Sequence, residues 1–295
     1  MSSLGGERLD HYLVRTGHAA SRRNAREMVA RGAVTLNGRR GIKGALVHAG
    51  DNVEVEATSD LAAIEPDPGA ALEVLFEDAA LIVVNKPGGV PCHPLRPGER
   101  GTVMNAVVAR FPETARIGDK PIEGGLIHRL DNGTSGALMI ARTDDALTTL
   151  RGALRSGAIK RKYLALVKGN LQEPLTLSAP IAHHQKNPRK MVVVSDDQRT
   201  RYAGRRALTR VEPIRRIGEF TLVAAIPSSG VRHQIRVHLA NAGYPIVGDE
   251  LYGGPRASFG AERFLLHLSE IELKSPASSE VKITAPLPDE FAQCV

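Results

Sequence analysis

The sequence predicts an α+β protein in two parts: a small helix-and-sheet module over residues 1–57 and a larger domain over residues 72–295. Three observations carry this. Residues 7–57 pass from helical to strand spacing within a compact, arginine-rich stretch. Residues 58–71 then lose all periodicity and contain Pro66, Pro68 and Gly69, the composition of an exposed, extended linker. Beyond Leu72, short apolar runs joined by hairpin-length links outnumber the helices, which predicts a mixed, mainly antiparallel sheet instead of a doubly wound one.

Leu9, Tyr12 and Leu13 have helical spacing up to Gly17, and Ser21 is placed to cap a second helix. That helix turns Ala25, Met28 and Val29 inward and Arg22, Arg23 and Arg26 outward, and Gly32 closes it. Val34-Thr35-Leu36 with Asn37-Gly38 reads as a strand and a tight turn, and Asn52 to Val55 as a last strand. In the large domain, Glu73 to Phe76 and Leu81 to Asn85 read as paired strands. Helical spacing follows over Thr102 to Arg110 and Asp144 to Leu154. Tyr163 to Val167, Met191 to Val194, Ala207 to Val211 and Phe220 to Ile226 are further strands, and Val231 to Ala242 is a helix stopped by Gly243.

Composition narrows the function classes. Apolar residues are 42% and charged residues 24% of the chain, ordinary for a globular protein, and no apolar run is long enough to cross a bilayer. No signal-peptide pattern is present, so a cytoplasmic location is expected, with no membrane partner and a monomeric state. Cys92 and Cys294 are far apart and the histidines lack ligand spacing, so no metal is expected. Neither a phosphate-binding loop nor a dinucleotide fingerprint occurs, so no cofactor is expected and side chains must do the chemistry. The net charge of +7 favours a polyanionic partner. Arginines cluster over residues 15–40 and again over 199–216, and the guanidinium fork suits phosphate oxygens.

The most informative stretch is His128-Arg129-Leu130-Asp131-Asn132-Gly133-Thr134-Ser135-Gly136. It sets one acid, Asp131, in a turn between apolar runs, and Asn132-Gly133 is expected to turn with positive φ. This nonapeptide resembles the signature of pseudouridine synthases of the RluA type, which isomerise uridine in large-subunit ribosomal RNA and sometimes in transfer RNA. Three further segments match in order: Asn85-Lys86-Pro87-Gly88-Gly89-Val90 with His93-Pro94; Lys162-Tyr163-Leu164-Ala165-Leu166-Val167; and His233-Gln234-Ile235-Arg236-Val237-His238 leading to Gly248-Asp249 and Leu251-Tyr252-Gly253. Residues 7–57 resemble the S4-type RNA-binding domain.

The resemblance implies a pseudouridine synthase fold with a catalytic cleft across its central sheet, Asp131 as catalytic carboxylate, Tyr163 against a flipped-out uridine, and Arg236 as the acid's ion-pair partner. Chemistry asks for such an arginine, because a desolvated carboxylate protonates unless a cation sits beside it. An aromatic ring can stack on an extruded base, and Arg129 could wedge into the space the base leaves. His128, Thr134 and Gln234 are further substrate-side candidates, with Thr134 and Ser135 also expected to tie the loop through their hydroxyls. Arg232, one helical turn before Arg236, is expected to contact phosphate, as are Arg22, Arg23 and Arg26 of the small domain. The chain departs from many relatives in Gly230-Val231-Arg232, where the arginine comes one place late.

The expected partner is therefore RNA, ribosomal RNA foremost. A small-subunit type synthase is the chemical alternative, disfavoured by His128 where those relatives usually have Gly. A silent RNA-binding or assembly protein is disfavoured by the intact Asp131, Tyr163 and Arg236. A glycosidase lacks a second acid in a comparable loop.

Overall fold

The computed structural model describes residues 6–19, 22–30, 32–55, 64–118, 122–195, 202–256 and 262–292. It divides into two compact units, residues 1–62 and residues 63–295.

In the small unit, β1 (Glu7–Arg8) leads into α1 (Leu9–Arg15) and α2 (Arg22–Ala30), followed by β2 (Val34–Leu36), β3 (Arg39–Arg40), β4 (Leu46–Val47) and β5 (Val53–Val55). Its core is Leu9, Leu13, Ala25, Met28, Val29, Val34 and Val47, the faces that helical spacing turns inward. Asn37 and Gly38, at φ 53° and 73°, make the tight turn between β2 and β3. Ser21 and the side chain of Arg23 lie outside the described residues.

The large unit contains β6 (Glu73–Glu77), β7 (Leu81–Lys86), α3 (Val103–Arg110), β8 (Ser135–Ala141), α4 (Asp144–Ser156), β9 (Lys160–Lys168), β10 (Leu175–Leu177), β11 (Ile181–His183), β12 (Met191–Val193), β13 (Thr209–Ile217), β14 (Phe220–Pro227), α5 (Gln234–Asn241), β15 (Leu266–Lys274), β16 (Glu280–Thr284) and α6 (Asp289–Ala292). Among the described residues one sheet runs β10-β13-β14-β9-β15-β8-β7-β6, with β16 also on β15. Its pairings are antiparallel except β15 with β8. The architecture is the mixed, mainly antiparallel α+β sheet expected.

β8 is buried at every position, as a central strand between two faces must be. Its Gly136 has φ 111°, and a Cβ there would collide with the Leu268 carbonyl oxygen, so only glycine lets β15 approach. Register then positions the site. Lys86 of β7 lies opposite Gly136, Gly136 opposite Leu268 of β15, and Leu268 opposite Tyr163 of β9. The exit of the Asp131 turn and Tyr163 are thus two strand spacings apart, roughly 10 Å.

Three expectations are corrected. The second half of the expected linker belongs to the large unit: Ile64 is fully buried in its core and Asn105 donates to the Glu65 carbonyl. The helix expected from Val231 begins only at Gln234, because His233 takes a left-handed backbone and the Gln234 side chain folds Val231 into a turn. β15, which pairs with β8, β9 and β16, has no counterpart among the expected strands.

Candidate active site

Asp131 stands at the head of a β-turn closed by the Thr134 N–H donating to the Asp131 carbonyl at 3.0 Å. Asn132 and Gly133 are not in the positive-φ region, contrary to expectation. Two cations shape this turn instead. The ammonium of Lys86, a fully buried residue, donates to the carbonyls of Asn132 (2.9 Å), Thr134 (2.7 Å) and Pro87 (2.9 Å). Arg263 Nη1 donates to the Gly133 carbonyl at 2.9 Å. Burial lowers the Lys86 pKa to about 8. Gly89 N–H also donates to the Asn132 carbonyl, so the Asn85 to Val90 block braces the acid's turn from below.

Arg236 reaches this turn from α5. Its Nη1 donates to Asp131 Oδ2 at 2.9 Å, while Nε and Nη2 grip Asp249 Oδ2 and Oδ1 at 2.7 and 2.8 Å. The guanidinium also stacks on Phe264, 4.1 Å from the ring centroid, with Tyr252 at 5.1 Å. Burial opposes its charge, but the Asp249 hydrogen bonds and the charges of Asp249 and Asp131 raise its pKa above the ordinary arginine value. Side-chain exposure separates the two acids: Asp249 is 1% exposed, whereas Asp131 keeps 24% and can meet a ligand.

Tyr163 is buried, and burial raises its phenol pKa, with a further contribution from the nearby Asp131 charge. Arg236 thus meets Asp131 directly, and Tyr163 lies near enough for the Asp131 charge to act on its phenol. His233 joins them: its Nε2 lies 3.9 Å from Asp131 Oδ1, and burial lowers its pKa to about 4.

Other candidates are placed differently. Gln234 is not turned to a ligand: its Oε1 accepts from Ser229 Oγ and Val231 N–H, and its Nε2 donates to the Leu208 carbonyl and Thr209 Oγ1. All its hydrogen-bonding capacity is used in fixing the start of α5. His128 is buried, its Nε2 accepting the Met139 N–H, and burial lowers its pKa to about 3, so it is a neutral brace behind the turn. Thr134 is likewise buried and closes the turn through its backbone. Ser135 ties the loop through side chains, with its Oγ 2.9 Å from His267 Nδ1 and 3.3 Å from Arg263 Nη2, not through the backbone. Arg232 lies outside the helix, exposed, donating to the Pro188 carbonyl. Arg129 is exposed beside the acid. In the small unit, Arg26 Nε and Arg22 Nε lie 3.0 and 3.9 Å from Asp10 Oδ2, and Arg8 Nε lies 2.9 Å from Asp10 Oδ1. The Arg8 hydrogen bond foremost lowers the Asp10 pKa to about 2.

Sequence reasoning missed Lys86, Asp249, His233 and Phe264 as site residues. Lys86 had a signal, a lysine ending an apolar strand run with no local acid. Asp249 had one in the quoted Gly248-Asp249 pair. Among the described residues no cluster of three or more metal-ligating side chains occurs, and no helix is long and apolar enough to cross a membrane.

Comparison with known proteins adds to this geometry. The family model of RNA pseudouridylate synthases matches residues 80–241, and that of the S4 domain matches residues 7–53. An uncharacterized RNA pseudouridine synthase, YlyB, from Bacillus subtilis is 32% identical over 98% of this chain and 93% of its own length. Ribosomal large subunit pseudouridine synthase D from Pseudomonas aeruginosa is 32% identical over 98% of this chain and 91% of its own. Among solved structures, human RNA pseudouridylate synthase domain containing 1 superposes with a TM-score of 0.59 at 26% identity, covering 77% of this chain and 90% of that one.

Proposed function

This chain belongs to the RNA pseudouridylate synthase family and is an RNA uridine isomerase with an S4 domain, and from that premise we propose that it acts on uridines of large-subunit ribosomal RNA, with Asp131 as the reacting carboxylate. The observation that carries the assignment of Asp131 is its pairing with a guanidinium that is itself held by a second, buried acid. Such a site keeps one charged oxygen pair fixed beside a substrate without relying on solvent.

The reaction breaks the bond from ribose C1′ to uracil N1, turns the base and forms a bond from C1′ to C5. C5 loses a proton and N1 gains one, so no redox partner or energy source is consumed. Asp131 supports this as a nucleophile or as the base that removes a proton from an intermediate. Arg236 holds Oδ2, leaving Oδ1 to the substrate. The Tyr163 ring is suited to stacking on the extruded base, and Arg129 to occupying the space vacated in the RNA. Asp249 does not act as a second reacting acid, since both its oxygens are taken by Arg236, which argues against glycoside hydrolysis. The arginines of the small unit supply phosphate contacts.

The test is tritium release from RNA labelled at uracil C5, together with carbodiimide mapping of ribosomal RNA from cells with and without the gene. The expected result is release by the wild type, loss of one or more large-subunit marks on deletion, and no turnover by Asp131→Asn with RNA binding retained. Release undiminished in Asp131→Asn would overturn the assignment of the acid; marks lost only from transfer RNA would overturn the target.

A further inference from the structure

His233 has φ 55° and ψ 18°, a left-handed backbone that is strained for a non-glycine residue. It makes no side-chain cap to α5, so helix capping does not explain the conformation. The ring is instead fixed from behind. Its Nδ1 lies 2.8 Å from the Tyr252 hydroxyl, whose oxygen also accepts the Met191 N–H at 2.9 Å. Assigning the phenol proton to Nδ1, which gives that proton an acceptor, places the neutral imidazole's own proton on Nε2. That N–H donor stands 3.9 Å from Asp131 Oδ1, too far for a direct hydrogen bond. Oδ1 is also the oxygen that Arg236 leaves free.

A donor and a charged acceptor separated by such a gap are matched by a group that accepts from one and donates to the other, which is a hydroxyl. In a target nucleotide the ribose 2′-hydroxyl is that group, and it is attached to the carbon next to C1′, where the reaction takes place. Building on the reading of Asp131 as the reacting carboxylate, we propose that His233 Nε2–H and Asp131 Oδ1 jointly hold the 2′-hydroxyl of the target nucleotide, making His233 the residue that distinguishes ribose from deoxyribose. The contact also sets C1′ against the carboxylate, which accounts for the strained backbone at His233.

The experiment uses the full chain and synthetic RNAs that carry the mapped target as either C5-tritiated uridine or C5-tritiated 2′-deoxyuridine, reading tritium release and affinity. The wild type should favour uridine by about tenfold or more, the scale of one well-placed hydrogen bond. His233→Gly keeps the left-handed backbone while removing the ring. It should lose about tenfold on uridine and little on 2′-deoxyuridine, so that the ratio falls towards one. His233→Gln, whose amide N–H reaches a similar distance, should recover part of the ratio. Equal losses on both RNAs, or a ratio that survives in both variants, would overturn the inference while leaving the isomerase reading intact. A wild type that releases no tritium from any RNA removes both.

Discussion

Arg236 grips Asp249 through two hydrogen bonds of 2.7 and 2.8 Å before it offers its remaining nitrogen to Asp131. The acid expected to react is thus governed by an acid that does not. Replacing Asp249 by Asn puts an amide N–H against Arg236 and leaves a buried guanidinium with Asp131 as its one charged partner. Breaking a buried ion pair costs about 3–5 kcal/mol, so Asp249→Asn should unfold at clearly lower urea concentration. Turnover should fall at least tenfold as the Arg236 fork loses its fixed orientation. A variant with unchanged urea midpoint and unchanged tritium release would show that the grip is dispensable.

Lys86→Met removes three hydrogen bonds from the carbonyls of Pro87, Asn132 and Thr134 while nearly keeping the side-chain volume. The Asn132 carbonyl keeps the Gly89 N–H, whereas those of Pro87 and Thr134 lose this donor at a cost of roughly 1–3 kcal/mol each, of which the apolar replacement recovers part. A net loss of about 2–4 kcal/mol by denaturation is expected. Turnover should drop further than RNA affinity, because the turn carrying Asp131 loses its support and the small unit does not.

Acid should weaken the large unit well before its carboxylates titrate. Burial lowers His128 to about 3 and His233 and His267 to about 4, against roughly 6.5 in an unfolded chain. Below about pH 6.5 the unfolded chain takes up protons that the folded one refuses, so stability falls as pH falls; above it the contribution is complete. Each histidine contributes a slope of about 1.4 kcal/mol per pH unit between these limits, and three together up to about 4. Urea midpoints at about pH 7.5, 6 and 5 measure this. His128→Gln should make the dependence shallower, and a flat wild-type profile from neutrality to about pH 5 would contradict it.

Arg22 and Arg26 retain side-chain exposures of 55% and 50% although both lie near Asp10, so each can still reach a phosphate. Replacing both by Ala should weaken RNA binding and reduce the magnitude of the slope of log affinity against log salt by about 0.7 for each phosphate no longer neutralised. An unchanged slope would mean that this face of the small unit does not meet RNA.

Asp131 and Arg236 are legible in the sequence because each sits in a short pattern with its own chemical requirement, an acid in a turn and a cation to pair with it. The small unit is legible for a similar reason, since spacing and turn residues are local signals. What supports the acid is not local. Lys86 is distant in sequence and meets the turn only because β7 and β8 pair in one register. Gln234 and His128 look available to substrate because they are polar residues beside a reacting group; burial and hydrogen bonds within the fold make them braces instead. The true start of α5 is hidden because apolar periodicity runs through His233, where the backbone turns left-handed. β15 is equally hidden: its first four positions are all buried, alternation sets in only from Ser269, and no turn chemistry announces its start.

The turn that carries Asp131 directs the carbonyl oxygens of Asn132, Gly133 and Thr134 onto Lys86 and Arg263. A polyanion descending on this site therefore does not confront a row of lone pairs as well as the carboxylate. The two cations, besides fixing the turn, make an acidic loop approachable by a phosphate chain.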